Sequence, residues 1–169
     1  MRTSIIAGLL IIIAFPTSAQ LVQGLVVRVA DGDTITVEVG PKRRVTIRLQ
    51  GIDAPERTMP YSQISRSHLS DLVLNKVVAF NPEKVDRHGR TVAVVRTSDG
   101  TDVCLPQIKA GLAWHFKRYE NEQSAEERAT YAAAEVIARA ARYGLWREQI
   151  PVPPWEFREQ RRVAPAVNS

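Results

Sequence analysis

The sequence predicts a mainly-β domain with helices: a small five-stranded barrel with about three α-helices, preceded by a signal peptide. Three observations predict it. TITVEV at 34–39 and RVTIRL at 44–49 alternate with period two and are joined by a short turn at Gly40, Pro41 and Lys42. Ser124 to Arg142 has helical spacing and signals at both ends. The stretches between them show no internal repeat and no break that would mark a second domain.

The elements follow in order. Met1 to Ser4 carry one Arg, Ile5 to Phe15 is an almost unbroken apolar run, and Pro16-Thr17-Ser18-Ala19 brings small residues before a cut after Ala19. That is the pattern of a secretory signal over 1–19. An uncleaved anchor is the rival, but the apolar run is far shorter than the roughly 20 residues a span needs. The chain is therefore expected to be exported, to the periplasm or outside the cell, with no membrane attachment after cleavage.

The domain is expected over 20–158. Leu21 to Ala30 is a loosely alternating strand, and Asp31-Gly32 signals the hairpin that leads to the second. With 44–49 these make a three-stranded meander. Tyr61, Ile64, Leu69, Leu72 and Val73 share one face of a helix over 61–74. Val77 to Phe80 and Thr91 to Thr97 are two further strands, with EKVDRHGR as the loop between them. A short helix near Pro106 to Ala110 ends at Gly111. Ser124 and Glu127 form a capping box, Glu135 and Arg139 an i,i+4 pair, and Gly144 the C-terminal cap of the long helix. Trp146 and Trp155 are expected to dock on the body. Residues 159–169 read as a basic, disordered tail, and Arg158, Arg161 and Arg162 as solvated. Five strands, a helix before the fourth and a helical end fit the OB-fold.

Composition narrows the function. A formal charge of +5 over 169 residues suits a polyanionic partner such as nucleic acid, although solubility alone explains it equally well. The single cysteine, Cys104, excludes an intrachain disulfide and reads as a small buried apolar residue, because nothing beside it would lower its pKa. His68, His88 and His115 are scattered, without zinc spacing. ADGDT at 30–34 is not an EF-hand, since Ile35 and Thr36 stand where that loop needs an oxygen ligand and a glycine. Any metal site is therefore built from oxygens, which favours Ca²⁺ or Mg²⁺.

In the meander, Asp33 opens the second strand and Asp53 lies just past the third, so two distant carboxylates converge at one edge. QGIDAPER at 50–57 adds Glu56 on a turn stiffened by Pro55. Three acids so placed repel unless a cation is bound. Arg48 on the third strand and Arg90 at the end of DRHGR each have an ordinary reading, a structural ion pair and a solvated loop residue. Together with a metal they would neutralise a phosphodiester and its pentacoordinate transition state, because a planar guanidinium binds two phosphate oxygens. Lys117, Arg118 and Tyr119 near GLAW could hold a strand backbone and a base; a solvated basic face is the alternative.

Taken together these residues resemble the staphylococcal nuclease-like (thermonuclease) family. The stretches that carry the resemblance are DGDT at 31–34, RLQGIDAPE at 48–56, DRHGR at 86–90, GLAW at 111–114, GLW at 144–146 and PPWEFR at 153–158. The resemblance implies the five-stranded OB barrel and calcium-dependent hydrolysis of DNA and RNA that leaves 3′-phosphates. It implies that Asp33, Asp53 and the backbone carbonyl of Ala54 hold Ca²⁺, with Asp31 supporting them. Glu56 corresponds to the general base, and Arg48 and Arg90 to the phosphate-binding arginines. Tyr119 keeps one nucleotide-contacting tyrosine. Ala54 stands where the best-known member has Thr, Lys117 where it has a second tyrosine, and His88 where it has an aromatic residue. A monomer without a stable protein partner is expected. The rival readings are a nucleic-acid-binding OB module without catalysis and a calcium-dependent binder of another anion.

Overall fold

The computed structural model describes residues 21–163. The expected signal peptide and residues 164–169 of the expected tail lie outside them. Strands β1 (Val22–Val29), β2 (Thr34–Gly40) and β3 (Arg43–Leu49) form the antiparallel meander. Then come β4 (Ile52–Asp53), α1 (Ser62–Val73), β5 (Val77–Phe80), β6 (Lys84–Val85), β7 (Thr91–Ala93), β8 (Val95–Thr97), α2 (Cys104–Lys109), β9 (Trp114–His115), α3 (Ala125–Ala140) and α4 (Pro154–Val163). Short 3-10 segments span Lys117–Glu122 and Gly144–Arg147.

The expected closed barrel of five strands is not seen. Seven strands form one sheet in the order β6-β7-β3-β2-β1-β5-β8, and β4 pairs with β9 in a second, two-stranded sheet. Two departures explain the difference. EKVDRHGR is not only a loop, because Lys84 and Val85 pair with Val92 and Thr91. Thr91 to Thr97 is not one strand. It breaks at Val94, so that β7 lies parallel to β3 while β8 pairs with β5, on the far side of the sheet. The chain therefore crosses between the two sides through a single residue, at about 3.3 Å per residue. The sheet must curl to permit this, and the covalent chain bridges a gap that, among the described residues, no hydrogen-bond ladder closes.

The concave side is the core. Val26, Ile35, Val37, Ile47 and Leu49 alternate inward and are fully or almost fully buried, each worth roughly 1.5–3 kcal/mol relative to exposure. Helix α1 packs on this core through Leu69 and Val73. Ile64, expected on that face, is 56% exposed. The helix instead buries Ser62, whose hydroxyl donates to the Arg57 carbonyl, and Ser65, where it approaches the β1–β2 turn too closely for a larger residue. A Cβ on Gly32 would lie 1.9 Å from Ser65 Oγ.

The α3 start is as expected, with both halves of the Ser124–Glu127 capping box present. Its end is not capped by Gly144. Arg142 takes the left-handed conformation at φ 54°, and the Arg142 and Tyr143 amides donate to the Arg139 and Ala138 carbonyls. A second cluster of Trp114, Ala138, Leu145 and Trp146 lies beside the core, with Tyr61 and Trp155 packed against it. Helix α4 continues to Val163, so 159–163 is helical rather than a disordered tail. Among the described residues no helix is long and apolar enough to cross a membrane.

Candidate active site

The two strand ends meet as the meander requires. Thr34 pairs with Arg48, and the Leu49 amide donates to the Asp33 carbonyl at 2.8 Å. Asp33 is almost fully buried and Asp53 is 1% exposed. Asp33 Oδ2 accepts from the Ala54 amide at 2.7 Å, which ties the first turn to the rigid IDAPE turn across the edge. Asp33 Oδ1 accepts from its neighbour Thr34 at 3.0 Å, and Asp31 Oδ1 caps the Asp33 amide at 3.1 Å. Asp31 thus supports the turn that presents Asp33.

Arg48 lies between the two acids. Its Nη1 is 3.0 Å from Asp33 Oδ2, and its Nη2 is 2.7 Å from Asp53 Oδ1. Nη1 also donates to the Ile52 carbonyl at 2.9 Å and the Leu49 carbonyl at 3.1 Å. Although burial works against its charge, Asp33, Asp53 and Asp31 hold the Arg48 guanidinium above its usual range. Asp33 responds in the opposite sense. Burial, reinforced by Asp31 and Asp53, pushes its carboxyl up to about 8 against the pull of Arg48.

Sequence reasoning missed one member of the cluster. Arg158 is not a solvated tail residue. Its Nη2 is 2.7 Å from Asp53 Oδ2, and its Nη1 is 2.7 Å from Glu56 Oε1 and 3.3 Å from Asp53 Oδ1. These contacts raise the Arg158 pKa, against its partial burial. Trp155, one turn earlier on α4, places it there. The Trp155 ring lies 5.5 Å from Trp114 and 5.3 Å from Phe116, and Trp114 is the register partner of Asp53. The available signal was the PPWEFR motif, in which Arg158 follows the docking Trp155 by three residues.

Four carboxyl groups, Asp31, Asp33, Asp53 and Glu56, therefore lie with two guanidiniums. The site is short of positive charge, and its donors are all oxygens, with the Ala54 carbonyl available on the same turn. That chemistry fits a hard divalent cation. Among the described residues no three His, Cys, Asp or Glu side chains are grouped to hold a metal. Water and substrate would complete the coordination.

Arg90 is prepared separately. Asp86 accepts from its Nε at 2.8 Å and from its backbone amide at 3.0 Å, and also from the His88 amide at 2.8 Å. One carboxylate thus organises the whole β6–β7 hairpin. Because β7 runs beside β3, with Thr91 opposite Ile47 and Val92 opposite Arg48, this hairpin brings Arg90 to the strand next to Arg48. Arg90 is paired with Asp86 rather than with the acid cluster.

The residues expected to contact nucleic acid divide. Tyr119 is exposed, with Lys84 Nζ 5.0 Å above its ring, which joins it to the hairpin stem. His88 is on the exposed hairpin tip, 3.2 Å from Arg87 Nε. Lys117 is bonded to the buried Glu135 at 2.5 Å. It lines a concavity of about 260 Å³ with Trp114, Phe116, Arg118, Arg139 and Trp155. A wider one of about 660 Å³ continues over Trp114, Arg139, Arg142 and Trp146. Cys104 is buried and its thiol is pushed well up by burial, as a packing residue should be.

Residues 46–148 match the family described as staphylococcal nuclease homologue. The chain is 35% identical over 152 residues to a protein of Escherichia coli named as an uncharacterized endonuclease, covering 90% of this chain and 95% of that one. An uncharacterized endonuclease of Haemophilus influenzae is 34% identical, over 85% of this chain and 76% of its own. The micrococcal nuclease of Shigella flexneri is 31% identical, over 95% and 94%. With this match and these relatives, the chain belongs to the staphylococcal nuclease family.

Proposed function

We propose that the protein is an exported, calcium-dependent nuclease that hydrolyses phosphodiester bonds of DNA and RNA and leaves 3′-phosphate ends. One observation carries the reading: Asp33, Asp53 and Arg48 are locked into one buried array at adjoining strand ends, with Glu56 beside it. The family match and the nuclease relatives support it. The apolar segment at 5–15 supports export, to the periplasm or beyond.

Asp33, Asp53 and the Ala54 carbonyl would hold the cation. A bound calcium ion would supply positive charge that stabilises the phosphate and its transition state. Glu56, on its stiff turn, orients a water and takes its proton for in-line attack. Arg48 and Arg90 receive the charge that develops on the phosphoryl oxygens, and the 5′-oxygen leaves as the P–O5′ bond breaks and takes a proton from solvent water. With so few protein ligands, cation binding is weak in the free protein. Tyr119 offers a ring on which a base can stack, and His88 lies on the same hairpin side.

The test is cleavage of heat-denatured DNA by the purified protein from Gln20 onward, with millimolar Ca²⁺, with Mg²⁺ and with a calcium chelator, followed by identification of the product ends. Cleavage in Ca²⁺ alone, with 3′-phosphates, is expected. A second reading, a nucleic-acid binder without catalysis, is favoured by Arg158, which neutralises Asp53 and Glu56. Glu56→Gln separates the two. A nuclease loses about 10²–10⁴ in rate, whereas a binder keeps its DNA affinity and shows no cleavage before or after the change.

A further inference from the structure

Arg158 bridges Asp53, assigned above to the cation, and Glu56. Asp53 Oδ1 accepts from both Arg48 and Arg158, so both of its lone pairs are engaged, and Oδ2 accepts from Arg158 at 2.7 Å. The same guanidinium holds Glu56. An ion coordinated by Asp53 must therefore displace the Arg158 guanidinium or lie against a like charge in a half-buried site, where such repulsion is strong.

The two arginines differ in their freedom to leave. The Arg48 side chain is 13% exposed and is bound to two carbonyls and two carboxylates from within the sheet. The Arg158 side chain is 45% exposed and, among the described residues, donates to Asp53 and Glu56. Its helix is anchored at the first turn, by the buried Pro154 and the stacked Trp155, and 158–163 are exposed. A rotamer change, without loss of α4, releases the acids.

We propose that Arg158 is the exchangeable counter-ion of the site: it holds Asp53 and Glu56 together, and it must leave Asp53 before a divalent cation binds, so that it weakens the cation's affinity. The inference rests on the assignment of Asp53 as a metal ligand. It is tested by calorimetric titration of Ca²⁺ into the purified protein and its Arg158→Met and Arg161→Met variants. Arg161 lies on the same helix, without an acid partner among the described residues and with its guanidinium over Phe157, and controls for long-range charge.

Arg158→Met is expected to bind Ca²⁺ about tenfold more tightly than the parent, and Arg161→Met within about twofold of it. Equal or weaker binding by Arg158→Met overturns the proposal, as does equal tightening by both variants. If Arg158→Met fails to fold, Arg158→Lys decides, because it keeps the charge but loses the planar fork that reaches both acids. It is expected to bind about threefold more tightly than the parent, and unchanged affinity overturns the proposal. No calcium binding by any of these chains overturns the assignment of Asp53, and this inference with it. Clear but equal binding overturns this inference alone.

Discussion

Arg48 and Arg90 are assigned the same task but are housed in opposite ways. Arg48 is built into the sheet between two buried acids. Arg90 stands at the base of a surface hairpin, held by Asp86, which is itself only partly buried. The first is part of what holds the fold together; the second is held outside the buried array, where the fold can lose it. Changes at the two positions should therefore harm the protein by different routes.

The largest effect is expected from Arg48→Ala. It leaves Asp33 and Asp53 buried without their shared cation, and loss of one partner from a buried ion cluster costs about 3–5 kcal/mol. Urea unfolding should show that loss, and activity should disappear with it. Arg90→Ala should change stability by less than about 1 kcal/mol, as exposed ion pairs do, yet lower kcat by about 10²–10³. Equal stability losses in the two variants would erase the contrast.

Asp86→Ala sharpens it. The hairpin keeps its arginine but loses the group that aims it, and kcat/KM should fall about tenfold. Acid offers a related check. Although partial burial of Asp86 opposes ionisation, the amides of Arg90 and His88 and the Arg90 side chain outweigh it and hold the carboxyl below its usual value of 3.8. The stability this adds is present above that value and is lost as pH falls through the folded-state pKa. The stability difference between the parent and Asp86→Asn should thus be flat from pH 5 to 8 and shrink only in stronger acid.

The smallest effect is expected at Lys117. Its ammonium is committed to Glu135, which keeps Arg139 at 3.5 Å and the His115 amide at 3.1 Å when Lys117 is removed. Lys117→Ala should change kcat/KM by less than about threefold, as a surface charge does. A loss as large as that from Arg90→Ala would move Lys117 into the substrate path.

Most of the acid cluster was legible because its causes are local. Period-two alternation fixes which residues of β2 and β3 face inward, and the short connection fixes their register, so Asp33, Arg48 and Asp53 had to meet. The capping box and the proline-stiffened turn are equally local. Arg158 was not legible, because its partner lies 102 positions earlier and no rule of spacing links them. The anchored first turn of α4, with Pro154 buried and Trp155 stacked, brings it home. The break at Val94 was hidden for a similar reason. Nothing in TVAVVRT distinguishes one strand from two, and the choice is made by which neighbours the sheet offers. Gly144 looked like a helix cap because glycine usually serves there, but Arg142 accepts the left-handed conformation and frees Gly144 for another contact.

That contact reaches further than its size suggests. Gly111 and Gly144 lie back to back, and a Cβ on Gly144 would come within 2.2 Å of the Gly111 carbonyl oxygen, while the Leu145 amide donates to that carbonyl at 2.8 Å. Three residues along the chain from Gly111, Trp114 pairs with Asp53. The chain from this contact to the acid is short, stiff and made of backbone. A single methyl group at either glycine would act as a wedge at one end of a lever whose other end is a carboxylate. The aim of the site is thus set partly by two residues that have no side chain at all.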